Sequence, residues 1–185
     1  MDIEDLILSI NDLEKEPCYP QRISFLKSTG RSVSNIEKAI AETLETINSG
    51  TRSFVIYGEP QSGKTEFMIA LVCKLIDLGR QTIFIVMNDN TELENQNFDR
   101  FHIAAELNPT PIRDFQLRDF SKKELKAKKQ RIIFCRKNAN NLKKLIEYSR
   151  FFEDRVVIDD EADFATPNTK INKKLVTAIN EHLGV

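Results

Sequence analysis

The segment at residues 58–65, GEPQSGKT, has the residue types needed to bind a phosphate group. Two glycines bracket four residues and are followed by a lysine and a threonine. Glycine lets the backbone turn its N–H groups around an anion, and a helix that starts next adds unpaired N–H groups. Lys64 can then reach the β- and γ-phosphates, and the Thr65 hydroxyl can bind Mg²⁺. The predicted nucleotide site consists of Gly58, Glu59, Pro60, Gln61, Ser62, Gly63, Lys64, Thr65 and Glu66. The open alternative for Gln61 and Ser62 is that they only complete the loop.

A group of carboxylates follows three apolar residues in the segment VVIDDEADF at 156–164. Their mutual repulsion makes sense if they hold a divalent cation and a polarised water. Asp160 is expected to hold Mg²⁺ through water, with Asp159 as the alternative metal carboxylate. Glu161 is expected to orient and deprotonate the attacking water, so Glu161 and Lys64 are the candidate catalytic residues. Asp163 is expected to couple the site to neighbouring loops. A solvated charged turn is the alternative for the whole group.

Apolar runs alternate with helical patterns along the chain, which predicts an α/β fold with a mostly parallel sheet and helices on both faces. Strands are predicted at 53–58, 82–88, 131–137 and 155–160, and helices at 34–47, 64–79, 93–107 and 138–152. Ser34 is expected to cap the first of these helices, with Glu37 as its capping-box partner. Residues 108–115 are predicted to be a loop, and residues 121–130 a short solvated helix or turn.

The first part of the chain differs from the rest. Residues 1–31 are predicted to be an appended helix and a linker, because two prolines in EPCYPQR (16–22) are expected to break any helix. Residues 32–185 then form one domain. Three scattered cysteines indicate buried thiols in a reducing compartment, and no segment has the roughly 20 apolar residues of a membrane span. The predicted location is therefore cytoplasmic.

The string DEAD at 160–163, together with the loop at 58–65, resembles the first RecA-like domain of superfamily 2 helicases and translocases. The longer strings IDDEADFATPNT (158–169), QSGKT (61–65), NTELENQNFDRF (90–101) and KNANNL (137–142) are similar, more narrowly, to the Z-one type ATPase domain of putative endonucleases in bacterial defence operons. The resemblance covers about residues 54–169. It implies a RecA-like P-loop NTPase fold, with ATP and Mg²⁺ as cofactors and nucleic acid, expected to be DNA, as partner.

The same resemblance implies that residues 90–101 and 137–142 contact the nucleic-acid backbone. A helix N-cap is the alternative for the first segment, and a capped helix start for the second. The basic stretch from Lys122 to Lys137 either contacts phosphates or forms a solvated helix face. Gln21 is a candidate for reading adenine, with Tyr19 stacked on the base, and the alternative is a linker glutamine.

Superfamily 2 motors bind ATP between two RecA-like domains, and nothing that resembles the second precedes the end at Val185. We therefore expect an N-terminal fragment of a longer protein, with a second RecA-like domain in cis that supplies arginine fingers. The fragment alone should hydrolyse ATP weakly. The alternative function is a nucleotide-gated switch module that acts on protein partners. A small-molecule phosphotransferase is disfavoured, because no short arginine-rich loop follows the second or third predicted strand.

Overall fold

A computed structural model describes residues 16–58 and 63–160 of the chain. Four parallel strands form one sheet in the order β2-β3-β1-β4: β1 (Thr82–Met87), β2 (Ile112–Arg113), β3 (Arg131–Arg136) and β4 (Arg155–Asp159). The helices of the described ranges are α1 (Cys18–Ser28), α2 (Ser34–Asn48), α3 (Lys64–Asp77), α4 (Thr91–His102), α5 (Lys122–Lys126) and α6 (Ala139–Ser149), with a 3₁₀ turn at Asp114–Asp119. The predicted α/β fold with a parallel sheet is confirmed, and it is consistent with a RecA-like domain.

Helices cover both faces of the sheet, and side chains of successive strand residues alternate between two cores. In β1, Ile83 and Ile85 pack with residues of α1 to α4, whereas Phe84 packs with residues of α6 and the 3₁₀ turn. In β4, Ile158 packs on the α3 side and Val157 on the α6 side. This two-sided burial explains why the strands read as continuous apolar runs.

Helix α1 corrects the prediction that the two prolines prevent a helix. Pro17 precedes the helix and Pro20 lies in its first turn, where the N–H that proline lacks has no partner within the helix. The backbone N–H groups of Cys18 and Tyr19 donate to the two carboxylate oxygens of Asp77, at 2.8 and 2.9 Å. Residues 18–28 are therefore a helix that packs on α3, not a linker. The predicted helix in residues 6–13 lies outside the described residues.

Three predicted local features also differ from the structure. Val33, not Ser34, is the N-cap residue of α2, and Glu37 pairs with Lys27 at 3.3 Å instead of completing a capping box. Helix α4 ends at His102, although its apolar pattern continues to residue 107. Residues 108–115, predicted to be a loop, include strand β2 and the beginning of the 3₁₀ turn, because Ile112 and Arg113 pair with β3.

The predicted strand at residues 53–58 is wrong in the structure. Both sides of β1 are paired, with β3 and with β4, and within the described ranges β4 pairs with β1 alone. The segment at 53–58 joins neither edge of the sheet, and its side chains are exposed, with Val55 at 83% and Tyr57 at 87%. An apolar run by itself predicts strand character, whereas strand assignment also needs a neighbour to complete the backbone hydrogen bonds.

Candidate nucleotide site

Helix α3 begins directly after the predicted phosphate loop. Gly63 is its N-cap residue and has φ of 86°, a left-handed conformation that glycine adopts without a steric penalty. At the other end of α3, Gln130, which precedes β3, donates its side-chain amide to the Ile76 carbonyl at 2.7 Å. The helix therefore runs antiparallel to the strands, and Lys64 in its first turn lies at the side where the strands end. An exposed helix N-terminus there can bind an anion.

The Thr65 hydroxyl lies against helix α4. It donates to Asn97 Oδ1 at 3.1 Å and accepts from Arg100 Nη1 at 3.3 Å. Both partners belong to the segment at 90–101, which the family resemblance assigns to nucleic acid and not to the nucleotide site. Their spacing of three residues on a helix was the available signal, because it puts them on one face.

The two candidate metal carboxylates, at the end of β4, are on opposite faces of the sheet. The Asp160 N–H donates to the Val86 carbonyl at 3.0 Å and so continues the hydrogen bonding of the strand by one residue. Strand alternation then places Asp160 on the side of Ile158, which packs against α3, and Asp159 on the side of Val157, which packs against α6. We therefore infer that the Asp160 side chain lies on the sheet face that α3 covers.

Asp159 has a different partner. The Lys137 ammonium lies 2.5 Å from Asp159 Oδ1 and donates to the Asp160 carbonyl oxygen at 2.5 Å. The Lys137 side chain is 6% exposed and the Asp159 side chain is 39% exposed, so the ammonium is buried while the carboxylate is partly open to water. Burial raises the pKa of Asp159, and the charge and hydrogen bond of Lys137 offset part of this rise. Because a buried lysine engages Asp159, the arrangement favours Asp160 as the metal carboxylate.

The described residues fit the binding of Mg²⁺. This ion takes oxygen ligands, commonly one or two protein groups together with phosphate oxygens and waters. The Thr65 hydroxyl and the Asp160 carboxylate provide such oxygens on one face of the sheet. Glu59, Pro60, Gln61, Ser62, Glu161 and Asp163 lie outside the described residues, and their roles remain predictions.

Glu66, the last residue of the predicted nucleotide site, forms ion pairs that join α3 to the N-terminal part of the chain. It pairs with Arg22 of α1 and, at 2.5 Å, with Arg31. Arg22 also lies 3.5 Å from Glu106. Burial alone would raise the pKa of Glu66, but the hydrogen bonds and charges of the two arginines outweigh it, so the pKa lies below its usual value. Helix α1 thus stabilises the first turn of α3.

We expect Arg22→Leu to lower the free energy of unfolding by about 3 kcal/mol at neutral pH, because it removes the buried cation that Glu66 and Glu106 share. Glu66 keeps its pair with Arg31 in this variant. The depressed pKa of Glu66 stabilises the fold above the unfolded-state pKa, and this stability is lost as the pH falls through the folded-state pKa. The difference between wild type and variant should therefore shrink below about pH 4. Urea unfolding over a pH series from about 7 down to about 3 measures this difference.

Lys27→Leu is the matched control on the same helix, because Lys27 is 57% exposed and pairs with Glu37 at 3.3 Å. An exposed pair of this kind contributes about 1 kcal/mol or less. If Arg22→Leu lowered the free energy of unfolding by no more than Lys27→Leu, the stabilising role of the buried pair would be refuted.

The two segments assigned to nucleic acid begin with helix caps. The Asn90 side chain accepts from the N–H groups of Glu92 and Leu93, and the Asn138 side chain accepts from Asn141 N–H at 3.0 Å. Asn138 also donates to Asp89 at 3.1 Å, which ties the starts of α4 and α6 together. The helix caps that were the alternative predictions thus account for the two asparagines. Nucleic-acid contact by these segments remains a proposal.

The basic stretch at 122–137 divides into two parts. Arg131 donates to backbone carbonyls, Arg136 bonds to Thr91 at 2.9 Å, and Lys137 pairs with Asp159. The exposed part is a set of lysines around α5 and just before β3: Lys122, Lys123, Lys126, Lys128 and Lys129. Because they precede β3, these lysines lie near the starts of the strands, at the side opposite Lys64.

The two candidate adenine-reading residues have partners of their own in the structure. The Lys74 ammonium lies 5.2 Å from the centre of the Tyr19 ring, and the Gln21 side chain donates to the Glu16 carbonyl at 2.9 Å. Lys74 is in the last turn of α3, about 15 Å along the helix from Lys64. Tyr19 therefore packs at the end of α3 away from the phosphate loop.

A parallel sheet with a glycine-initiated helix and a strand-end aspartate on the same face defines a nucleotide-binding α/β domain. The model of the family Type III restriction enzyme, res subunit (ResIII), matches residues 34–181, which is most of the chain. The chain therefore belongs to this family. Membership implies an ATP-dependent helicase-like or restriction-type ATPase module that binds nucleotide. Comparisons with curated proteins and with solved structures gave no match. In the ranges that the structure describes, no helix is long and apolar enough to cross a membrane.

Proposed function

We propose that the chain is the ATP-binding motor domain of a DNA helicase or translocase. The observation that carries this proposal is that the first turn of α3 and Asp160 share one face and one edge of the parallel sheet. This is where open α/β sheets bind their ligands. The setting that we propose is a bacterial or phage defence system and a cytoplasmic location, as the similarity to defence-operon ATPases suggests.

The residues have separate roles in ATP hydrolysis. Lys64 and the N–H groups at the start of α3 bind the β- and γ-phosphates, while Thr65 and Asp160 hold the Mg²⁺, Asp160 through water. The metal, when bound, supplies positive charge that stabilises the transferring phosphoryl group. Glu161 orients the attacking water and accepts its proton. A second RecA-like domain in the longer protein supplies the arginine finger, and closure of the two domains on DNA couples hydrolysis to movement.

Helix α4 supports the motor proposal because it connects the nucleotide site to the predicted DNA-contacting segment. Thr65 bonds to Asn97 and Arg100 on α4, and Asn90 at the start of the same helix belongs to the segment that the resemblance assigns to the nucleic-acid backbone. Glu94 anchors α4 to the sheet through Arg113, at 2.5 Å, and Arg136, at 3.8 Å. A movement of Thr65 that accompanies ATP hydrolysis can therefore be transmitted through α4 to the predicted DNA-contacting segment.

The test is ATP hydrolysis by the full-length protein with single-stranded DNA, double-stranded DNA or RNA, or with none of these. We expect DNA to stimulate ATP hydrolysis. The stimulation should weaken as the salt concentration rises, because contacts with DNA phosphates are salt-dependent. The Lys64→Ala variant is the negative control. ATP binding without stimulation by any nucleic acid would refute the motor and leave the alternative, a nucleotide-gated switch that acts on protein partners.

A further inference from the structure

Helix α4 contributes two polar side chains next to the predicted metal ligand, although neither belongs to the phosphate-loop pattern. Asn97 accepts the proton of the Thr65 hydroxyl at 3.1 Å, and Arg100 donates to the same oxygen at 3.3 Å. A threonine hydroxyl has one proton to donate and two lone pairs. With the proton directed to Asn97 and one lone pair to Arg100, the remaining lone pair has no partner among the described residues and can accept a further one.

The position of α4 does not depend on these two contacts. On its sheet side, Glu94 pairs with Arg113, and the rings of Phe98 and Phe101 contact Phe134 edge-on at 5.2 and 5.0 Å between centroids. Glu94 is 5% exposed and Phe101 is fully buried. The anchored helix therefore holds Asn97 and Arg100 beside the start of α3.

We propose that Asn97 and Arg100 are part of the nucleotide site. Asn97 is a positioning residue, because its acceptor oxygen orients the Thr65 hydroxyl so that a lone pair remains for Mg²⁺. Arg100 is a phosphate-binding residue that favours a nucleoside triphosphate over a diphosphate. This inference rests on the proposed nucleotide site and adds two residues of α4 to it.

The preference for a triphosphate follows from the chemistry of the ion. Thr65 and, through water, Asp160 would hold a bound Mg²⁺, and the ion would also take phosphate oxygens of the nucleotide. A γ-phosphate oxygen held beside the Thr65 hydroxyl in this way would come close to the Arg100 guanidinium. Arg100 is exposed and long, so it can turn from the hydroxyl to the phosphate, and a guanidinium binds phosphate with strong charge-assisted hydrogen bonds. A diphosphate lacks this partner.

The first experiment measures the affinities of the protein for ATP and for ADP in the presence of Mg²⁺ by calorimetry. Arg100→Gln is expected to weaken ATP binding by about tenfold and ADP binding by less than about threefold. Arg118→Gln is the matched control with the same charge change, because Arg118 is 72% exposed and its partner is the adjacent Asp119. Equal losses for ATP and ADP, or no loss, would overturn the assignment of Arg100.

The second experiment compares ATP affinity with Mg²⁺ and with a chelator. Asn97→Leu is expected to reduce the gain in affinity that Mg²⁺ provides by roughly fivefold, whereas Asn97→Asp keeps an acceptor for the hydroxyl and should preserve the gain. An unchanged gain in Asn97→Leu would overturn the positioning role. Thermal unfolding confirms that the variants are folded.

Lys64→Ala separates this inference from the function on which it rests. If Lys64→Ala binds ATP as well as wild type, the nucleotide site itself is wrong. If Lys64→Ala loses binding while Arg100→Gln and Asn97→Leu behave as wild type, only the contribution of α4 is refuted.

Discussion

Lys64→Ala should reduce ATP affinity by roughly 100-fold, because it removes the cation opposite the β- and γ-phosphates. The variant should remain folded, since Lys64 is exposed at the first position of α3 and alanine is a good helix former. Isothermal titration of the purified chain with ATP and Mg²⁺ measures the effect, and thermal unfolding checks the fold.

Lys38→Ala is the control for this measurement. Lys38 lies on α2, is 77% exposed and makes one surface pair with Glu42, at 3.9 Å. Its replacement should leave ATP affinity unchanged. Unchanged affinity in the Lys64 variant as well would remove the basis for the phosphate site.

Glu161→Gln should lower the turnover number of the full-length ATPase by about 10² to 10⁴, because glutamine cannot accept the proton of the attacking water. ATP binding should persist, so the variant should trap ATP. Steady-state hydrolysis and the amount of retained nucleotide, both measured with the stimulating nucleic acid, provide the two readouts. Normal turnover would assign the role of the base to another residue.

The neighbouring aspartates provide a matched comparison for this prediction. Asp160→Asn should weaken the effect of Mg²⁺ on ATP binding, because Asp160 lies on the sheet face that α3 covers. Asp159→Asn should leave that effect unchanged and instead lower stability, since it removes the partner of the buried Lys137 ammonium. The reverse pattern would make Asp159 the metal carboxylate.

Strong local patterns predicted much of this fold. The runs that became β1, β3 and β4 are apolar at nearly every position because both faces of the sheet are covered. The prediction at α1 was wrong because proline is unfavourable inside a helix but tolerated in its first turn. The strand prediction at 53–58 was wrong because apolar character does not reveal whether a neighbouring strand pairs with the segment.

Local sequence was sufficient to predict the phosphate-loop pattern, the start of a helix at Lys64 and an acidic cluster after an apolar strand. These features depend on residues close together in the chain, where glycine conformation, capping and periodicity act. The pairing of Asp159 with Lys137 depends instead on how helices and strands pack, as does the position of Asp160 on the sheet face that α3 covers. The same packing pairs Arg22 with Glu66 and brings Asn97 and Arg100 to Thr65. These partners are 22 to 44 positions apart, and such pairs form only when packing of helices on the sheet brings them together.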